Sequence, residues 1–171
     1  MGANVVTETF GILGKRGTGK THTAMVFAEE MLECGYPMGV IDPVGAWWGL
    51  RSSADGKRPG YEIVIFGGDH GDVPLEKGGG KVIANFAIEE SVPFILDLDG
   101  MSKRKQIDFV ADFLEQLYRR NKEPLHLFID EADLFAPQIC RRGEGQERAL
   151  GACDDIIRRG RKKGLGATLI T

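Results

Sequence analysis

Short apolar runs alternate along the chain with stretches in which apolar residues recur every three or four positions, the pattern of a mostly parallel sheet covered by helices. A first strand is predicted over residues 9–13, running straight into a glycine-rich loop. The helix predicted over 21–33 carries Ala24, Phe27, Ala28, Met31 and Leu32 on one stripe, and Gly35 and Pro37 end it. Residues 38–41 read as a second strand stopping at Asp42-Pro43, and 61–66 (YEIVIF) as a third. A loop over 67–80, a helix over 81–90 and a buried strand over 93–97 follow. Ile107, Val110, Ala111, Leu114, Leu117 and Tyr118 define the apolar stripe of a long helix over 102–120. The strand LHLFI at 125–129 delivers Asp130 and Glu131 at its end. A loop over 137–145, a basic helix over 146–163 and a last strand over 165–171 complete the order, with no internal repeat or low-complexity segment.

Composition changes this picture little. At 171 residues the chain has the length of one domain, and 42% hydrophobic with 27% charged residues is ordinary for a folded one. A formal net charge of −3 gives no global attraction to nucleic acid, so any such contact has to come from a local patch. Cys34, Cys140 and Cys153 stand far apart without a CxxC pair, which argues against a zinc site or a disulfide framework. No signal peptide and no apolar stretch of the ~20 residues needed to span a bilayer is visible, so a soluble, cytoplasmic protein without a membrane segment is expected.

The chemistry starts in GKRGTGKT: Gly14, Lys15, Arg16, Gly17, Thr18, Gly19, Lys20 and Thr21. This segment matches the phosphate-loop pattern G-x-x-x-x-G-K-[ST] at every fixed position. The three glycines are expected to let backbone N–H groups converge on phosphate oxygens. The loop opens a helix, whose N-terminus favours an anion. Lys20 then neutralises the β and γ phosphates of ATP, and the Thr21 hydroxyl ligates Mg²⁺. The strand before it and the amphipathic helix after it supply the context that the mechanism needs. A glycine-rich turn with an incidental lysine is the competing expectation.

LHLFIDEAD supplies the second half of such a site. In phosphate-loop NTPases an Asp at the end of an apolar strand holds Mg²⁺, a role that falls to Asp130. Glu131 is placed to take a proton from, or orient, the water attacking the γ-phosphate, which favours hydrolysis over transfer to another acceptor. A strand ending in a polar turn is the simpler alternative. Asp133, Asp97 and Asp99 are expected to be structural.

Together these residues resemble the HerA/FtsK superfamily of hexameric DNA-pumping ATPases, and within it the HerA-like branch. Three further blocks carry the resemblance: the strand from Met38 ending in Asp42-Pro43, FILDLDGMSKRKQIDFVADFLEQLYRR at 94–120, and RRGRKKGLGATLIT at 158–171. The resemblance implies a three-layer αβα P-loop NTPase fold of the RecA-like, glutamate-bearing class, with the last strand between the phosphate-loop and acidic strands. It implies one ATPase domain over residues 1–171, ATP and Mg²⁺ as cofactors, and a hexameric homo-oligomer acting on double-stranded DNA with a nuclease or loading partner. The family places arginines near the neighbouring subunit's nucleotide, which makes Arg158, Arg159 and Arg161 candidates, with Arg158 and Arg161 put forward. Its last strand ends in Thr-Gln, the Gln sensing γ-phosphate. The sequence ends at Thr171, which leaves that Gln outside it. Only a few residues precede the first strand, where the family usually carries a barrel or membrane module. Two rival functions share the phosphate loop: an ATP-binding assembly or switch subunit with little turnover, and a small-molecule kinase.

Several features fit a plainer account. The run Arg158–Lys163 is by periodicity a solvated helix face. Arg141 and Arg142 are a second candidate for DNA or interface contact. Trp47 and Trp48 cannot both enter one helical core. Either one stacks on adenine or docks on a partner, or, more simply, they plug the sheet edge. GGDHGD at 67–72 lacks metal-ligand spacing and reads as a loop. Ordinary packing is expected for His22 and His126.

Overall fold

The structure is a computed structural model that describes residues 3–53, 55–76, 78–140 and 145–171. Six strands, β1 (Thr9–Ile12), β2 (Met38–Asp42), β3 (Val64–Phe66), β4 (Phe94–Asp97), β5 (Leu125–Ile129) and β6 (Leu165–Ile170), form one sheet in the order β1-β6-β5-β2-β4-β3. Every pairing is parallel. β6 therefore lies between β1 and β5, as the resemblance implies.

Alternation along the strands feeds two cores, which makes the three layers. On one face Ile41, Leu96, Leu127 and Ile129 pack with α2 (Gly80–Glu90), α3 (Lys103–Arg120) and α4 (Gln146–Arg159). On the other, Val40, Ile65, Ile95 and Phe128 pack with α1 (Lys20–Glu33) and with two 3-10 segments, Ala3–Thr7 and Trp47–Arg51. α3 is buried beyond its stripe because α2 and α4 flank it; Phe109, Phe113, Gln106 and Gln116 join the interior. Gln116 is satisfied by donating to Asn85 Oδ1 at 2.8 Å.

Several boundaries differ from expectation, most by one residue. The third strand covers only Val64–Phe66, because Gly60 N and Tyr61 N donate to Arg51 O and Leu50 O and tie that stretch to the 3-10 segment instead. The basic helix is α-helical only to Arg159. Gly160–Lys163 tightens into a 3-10 turn capped by Gly164 at φ 76°. The first strand stops at Ile12, leaving Leu13 77% exposed at the loop entrance.

Buried polar groups are also accounted for. His126 has Nδ1 2.9 Å from Val6 O and Nε2 2.8 Å from Thr168 Oγ1. A carbonyl only accepts, so Nδ1 carries the proton and Nε2 accepts from the hydroxyl. Burial pushes this imidazole down to about 4, against the bond to Val6, and keeps it neutral. His126 thus does more than pack: it ties the N-terminal 3-10 segment to β6. His22 lies exposed on α1. No helix among the described residues is long and apolar enough to cross a membrane.

Candidate functional site

β1 and α1 are joined by the loop at 13–19, and hydrogen bonds to the end of β6 fix its start. Thr171 N donates to Ile12 O at 3.1 Å, and Gly14 N donates to Thr171 O at 3.2 Å. Gly17 (φ 79°) and Gly19 (φ 85°) occupy the left-handed region, as a loop folding its N–H groups inward requires. Gly14 is glycine for another reason. It has no positive φ, but a Cβ there would meet Thr18 Oγ1 at 2.7 Å. The Thr18 hydroxyl donates to Lys15 O at 2.8 Å and closes the turn that carries Arg16. Lys20 reaches back across the loop and donates to Gly14 O at 2.9 Å and Lys15 O at 3.4 Å. α1 has no side-chain cap and no acid in its first turn, so its N-terminal field is left for an external anion.

The second half of the site arrives on β5. Asp130 is 4% exposed, and the Thr21 hydroxyl donates to its Oδ2 at 3.1 Å, bringing loop and acidic strand together. Oδ1 accepts from Glu131 N at 2.9 Å. Glu131 itself is exposed and sits at φ 45°, one of two non-glycine residues with positive φ among those described. With Asp133, Lys103, Pro43 and Val44 it lines an open groove of about 420 Å³. Asp133 accepts from the Thr171 hydroxyl at 3.2 Å, which puts the end of β6 beside the acidic turn.

Trp47 completes the carboxylate's environment. It is fully buried, and its indole Nε1 donates to Asp130 Oδ2 at 2.9 Å. Asp42 places it: Oδ2 accepts from Trp47 N at 2.8 Å, and Oδ1 accepts from Val44 N and Gly45 N at 3.1 and 2.9 Å. Burial pushes the Asp42 carboxyl up to about 6; the three N–H groups pull the other way, and Asp97 adds to the rise. Gln106 on α3 pins the same turn, donating to Pro43 O at 3.1 Å and Leu98 O at 3.0 Å. Asp97 accepts from Asp99 N at 3.0 Å and lies against Gly45 and Gly68, a structural position.

The donor set fits a nucleoside triphosphate with Mg²⁺. Lys20 is a cation paired with carbonyl oxygens, the helix end is uncapped, and a hydroxyl and a carboxylate meet at one point. Residues 2–159 match the family described as Helicase HerA, central domain.

The chain belongs to the HerA central-domain family.

Membership makes it a P-loop ATPase of the HerA/FtsK type. A search of curated proteins found no match.

Within this HerA central domain, not every sequence candidate reaches the phosphate loop. Gly160–Lys163 leads into the start of β6, and Arg161 pairs at 3.3 Å with Glu8, just before β1. The basic run therefore sits at the N-terminal ends of the strands. The loop lies at the C-terminal ends, a strand length of roughly 20 Å away. Arg158 and Arg159 pair with Asp154 and Asp155 on their own helix. With Tyr118 and the two lysines, these arginines line a groove of about 550 Å³. Arg141 and Arg142 lie outside the described residues.

The tryptophans correct the sequence reading. They are not one plug over the edge: Trp47 turns in to Asp130, while Trp48 turns out and stacks on His70 at 4.0 Å between ring centres. The GGDHGD stretch is a loop, as expected, and it is pinned: Asp72 accepts from Ile65 N at 2.9 Å and pairs with Arg51. Among the described residues no group of three or more His, Cys, Asp or Glu is placed to hold a metal ion. Asp42 was legible as part of Asp42-Pro43, but its task of placing Trp47 was not.

Proposed function

We propose that residues 1–171 act as the ATP-hydrolysing core of a ring, a homo-hexamer, that moves double-stranded DNA. The observation that carries this reading is the meeting of Thr21 and Asp130 at 3.1 Å, with Glu131 next in the chain and facing an open groove. The loop at 14–21 binds the triphosphate. Lys20 exchanges its two carbonyl partners for phosphate oxygens, a gain because charge-assisted hydrogen bonds are the stronger ones. Thr21 and Asp130 hold Mg²⁺, which when bound neutralises charge on the β and γ phosphates. Glu131 takes the proton of the attacking water onto its carboxylate, and Thr171 at the end of β6 bonds to Asp133, two residues on. Arg158 or Arg161 acts on the neighbouring subunit's nucleotide; its position about a strand length from its own loop suits a role in trans and no role in cis.

Phosphate release by the full-length protein, with and without double-stranded DNA, tests this. DNA is expected to stimulate turnover, and Glu131→Gln to cut it at least ~100-fold while ATP affinity holds. Normal ATP binding without release, unchanged by Glu131→Gln, would replace the motor with a nucleotide-binding switch subunit. Release indifferent to DNA would remove the translocation step.

A further inference from the structure

The contact between Trp47 and Asp130 spans 83 residues of sequence and links an indole to the carboxylate at the centre of the site. Space-filling does not explain it. The ring packs against Phe128 at 5.6 Å between centres, which accounts for a buried aromatic body but not for a polar N–H. An indole adds one N–H, and a buried one needs an acceptor. Here that acceptor is Oδ2 of Asp130, the same oxygen that takes the Thr21 hydroxyl. Oδ1 is held by the adjacent backbone N–H. With donors on both oxygens, rotation of the carboxylate breaks at least two hydrogen bonds.

The placement of the indole is itself determined. Asp42 accepts three N–H groups from residues 44, 45 and 47, so the chain after β2 turns back over the sheet and drops Trp47 beside β5. Gln106 holds the turn from the other side through Pro43 O. The fixed order Asp42, Trp47, Asp130 is a chain of polar contacts in which each member orients the next.

We infer that Trp47 is a positioning residue: its indole N–H holds Asp130 in the rotamer that faces Thr21, and so sets the affinity of this pair for Mg²⁺. The inference rests on the reading of Thr21 and Asp130 as the Mg²⁺ site. The outer hydrogen-bond partners of metal ligands are worth roughly 10–100-fold in metal affinity. Nothing in it requires Trp47 to touch nucleotide.

The test uses the full-length protein and a fluorescent ATP analogue, bound without Mg²⁺ and across a Mg²⁺ titration. Trp47→Phe keeps a ring but loses the donor. Replacing Trp47 by benzothienylalanine keeps the bicycle and removes only the N–H, which separates the hydrogen bond from packing. Both variants are expected to bind the analogue within about twofold of the parent without Mg²⁺, and to need about tenfold more Mg²⁺ to reach half effect. In a Trp48→Phe background, the indole N–H resonance that Trp47→Phe removes is expected to shift as Mg²⁺ and nucleotide are added. Variants with the parent's Mg²⁺ dependence overturn the inference, as does an equal loss with and without Mg²⁺, which marks a packing role. A parent that binds the analogue with no Mg²⁺ dependence overturns the Mg²⁺ site itself, a distinct outcome.

Discussion

The two ends of the sheet handle charge in different ways. At the C-terminal ends of the strands, Thr21, Trp47 and Asp130 come from segments up to 109 residues apart and bond to one another in the interior. At the N-terminal ends, the cations come from one run of sequence and pair at the surface: Arg158 with Asp154 and Arg159 with Asp155 within one helix, and Arg161 with Glu8 just before β1, all well exposed. Exposed pairs of this kind contribute about 0–1 kcal/mol each and hold no geometry. The first end is fixed enough to position a ligand within one chain. The second leaves its cations at the surface in exposed pairs, as the proposed role in trans needs.

The sharpest break of this contrast lies in nucleotide affinity. Lys20→Ala is expected to weaken ATP binding about 100-fold, close to 3 kcal/mol, because a charge-assisted contact at the phosphate loop is lost. Arg158→Ala and Arg161→Ala are expected to change binding to dilute protein less than twofold. Equilibrium titration with a fluorescent ATP analogue decides it. An arginine variant that loses tenfold or more places the basic end against its own chain's nucleotide, and the contrast collapses.

Acid offers a second probe, because His126 at one end and Asp42 at the other are buried titratable groups of opposite response. Burial pushes His126 down to about 4 from 6.5, so the unfolded chain binds more protons between those values. Its share of stability is present above pH 6.5 and is lost as pH falls toward 4. Asp42 is pushed up from 3.8 to about 6, so here the native state binds more protons. Its share grows as pH falls through 6 and is lost as pH rises. Urea unfolding at pH 7 and pH 5 separates the two. The stability gap between parent and His126→Gln is expected to narrow by about 2 kcal/mol at the lower pH, and that between parent and Asp42→Asn to widen by about 1 kcal/mol. Gaps moving in the same direction for both variants refute the opposition.

What the sequence made legible follows the same division. Periodicity placed all six strands and all four helices, since those elements bury regular stripes such as Ala24, Ala28 and Met31. The phosphate loop and the Asp130-Glu131 pair were legible because local order fixes them: a loop between strand and helix, and the end of a strand. The strand order came from family resemblance, as no local pattern encodes which strands pair. Trp47 was not legible as part of the site. Its hydrogen bond depends on Asp42 folding the chain back, a tertiary event without a period or a motif spacing. The short 3-10 segments Ala3–Thr7, Trp47–Arg51 and Ala132–Leu134 escaped for that reason as well. They are held by bonds to distant residues, His126 to Val6 among them.

The small stability change expected at Glu131 bears most directly on what each end is built for. Glu131 and Gly164 both occupy the left-handed region, at φ 45° and 76°, one at each end of the sheet. At Gly164 the chain uses glycine, since a Cβ there would meet Glu123 O at 2.4 Å, although Ser91, at φ 52° just before β4, is a left-handed non-glycine residue at that same end. At the C-terminal end it keeps a glutamate in a conformation that costs an L-residue roughly 1–2 kcal/mol. Strain of this sort persists where a side chain is needed and the surroundings over-determine the backbone. Here the bonds from Glu131 N to Asp130 and from Leu134 N to Glu131 O do so. Glu131→Gly is therefore expected to raise stability by about 1 kcal/mol in thermal unfolding, a few degrees in Tm for a chain of this size, while removing turnover. Gly164→Ala is expected to lower stability by about 2 kcal/mol and leave ATP affinity unchanged. If Glu131→Gly destabilises instead, the carboxylate is holding the turn in place, and the strain at that end has a structural origin rather than a catalytic one.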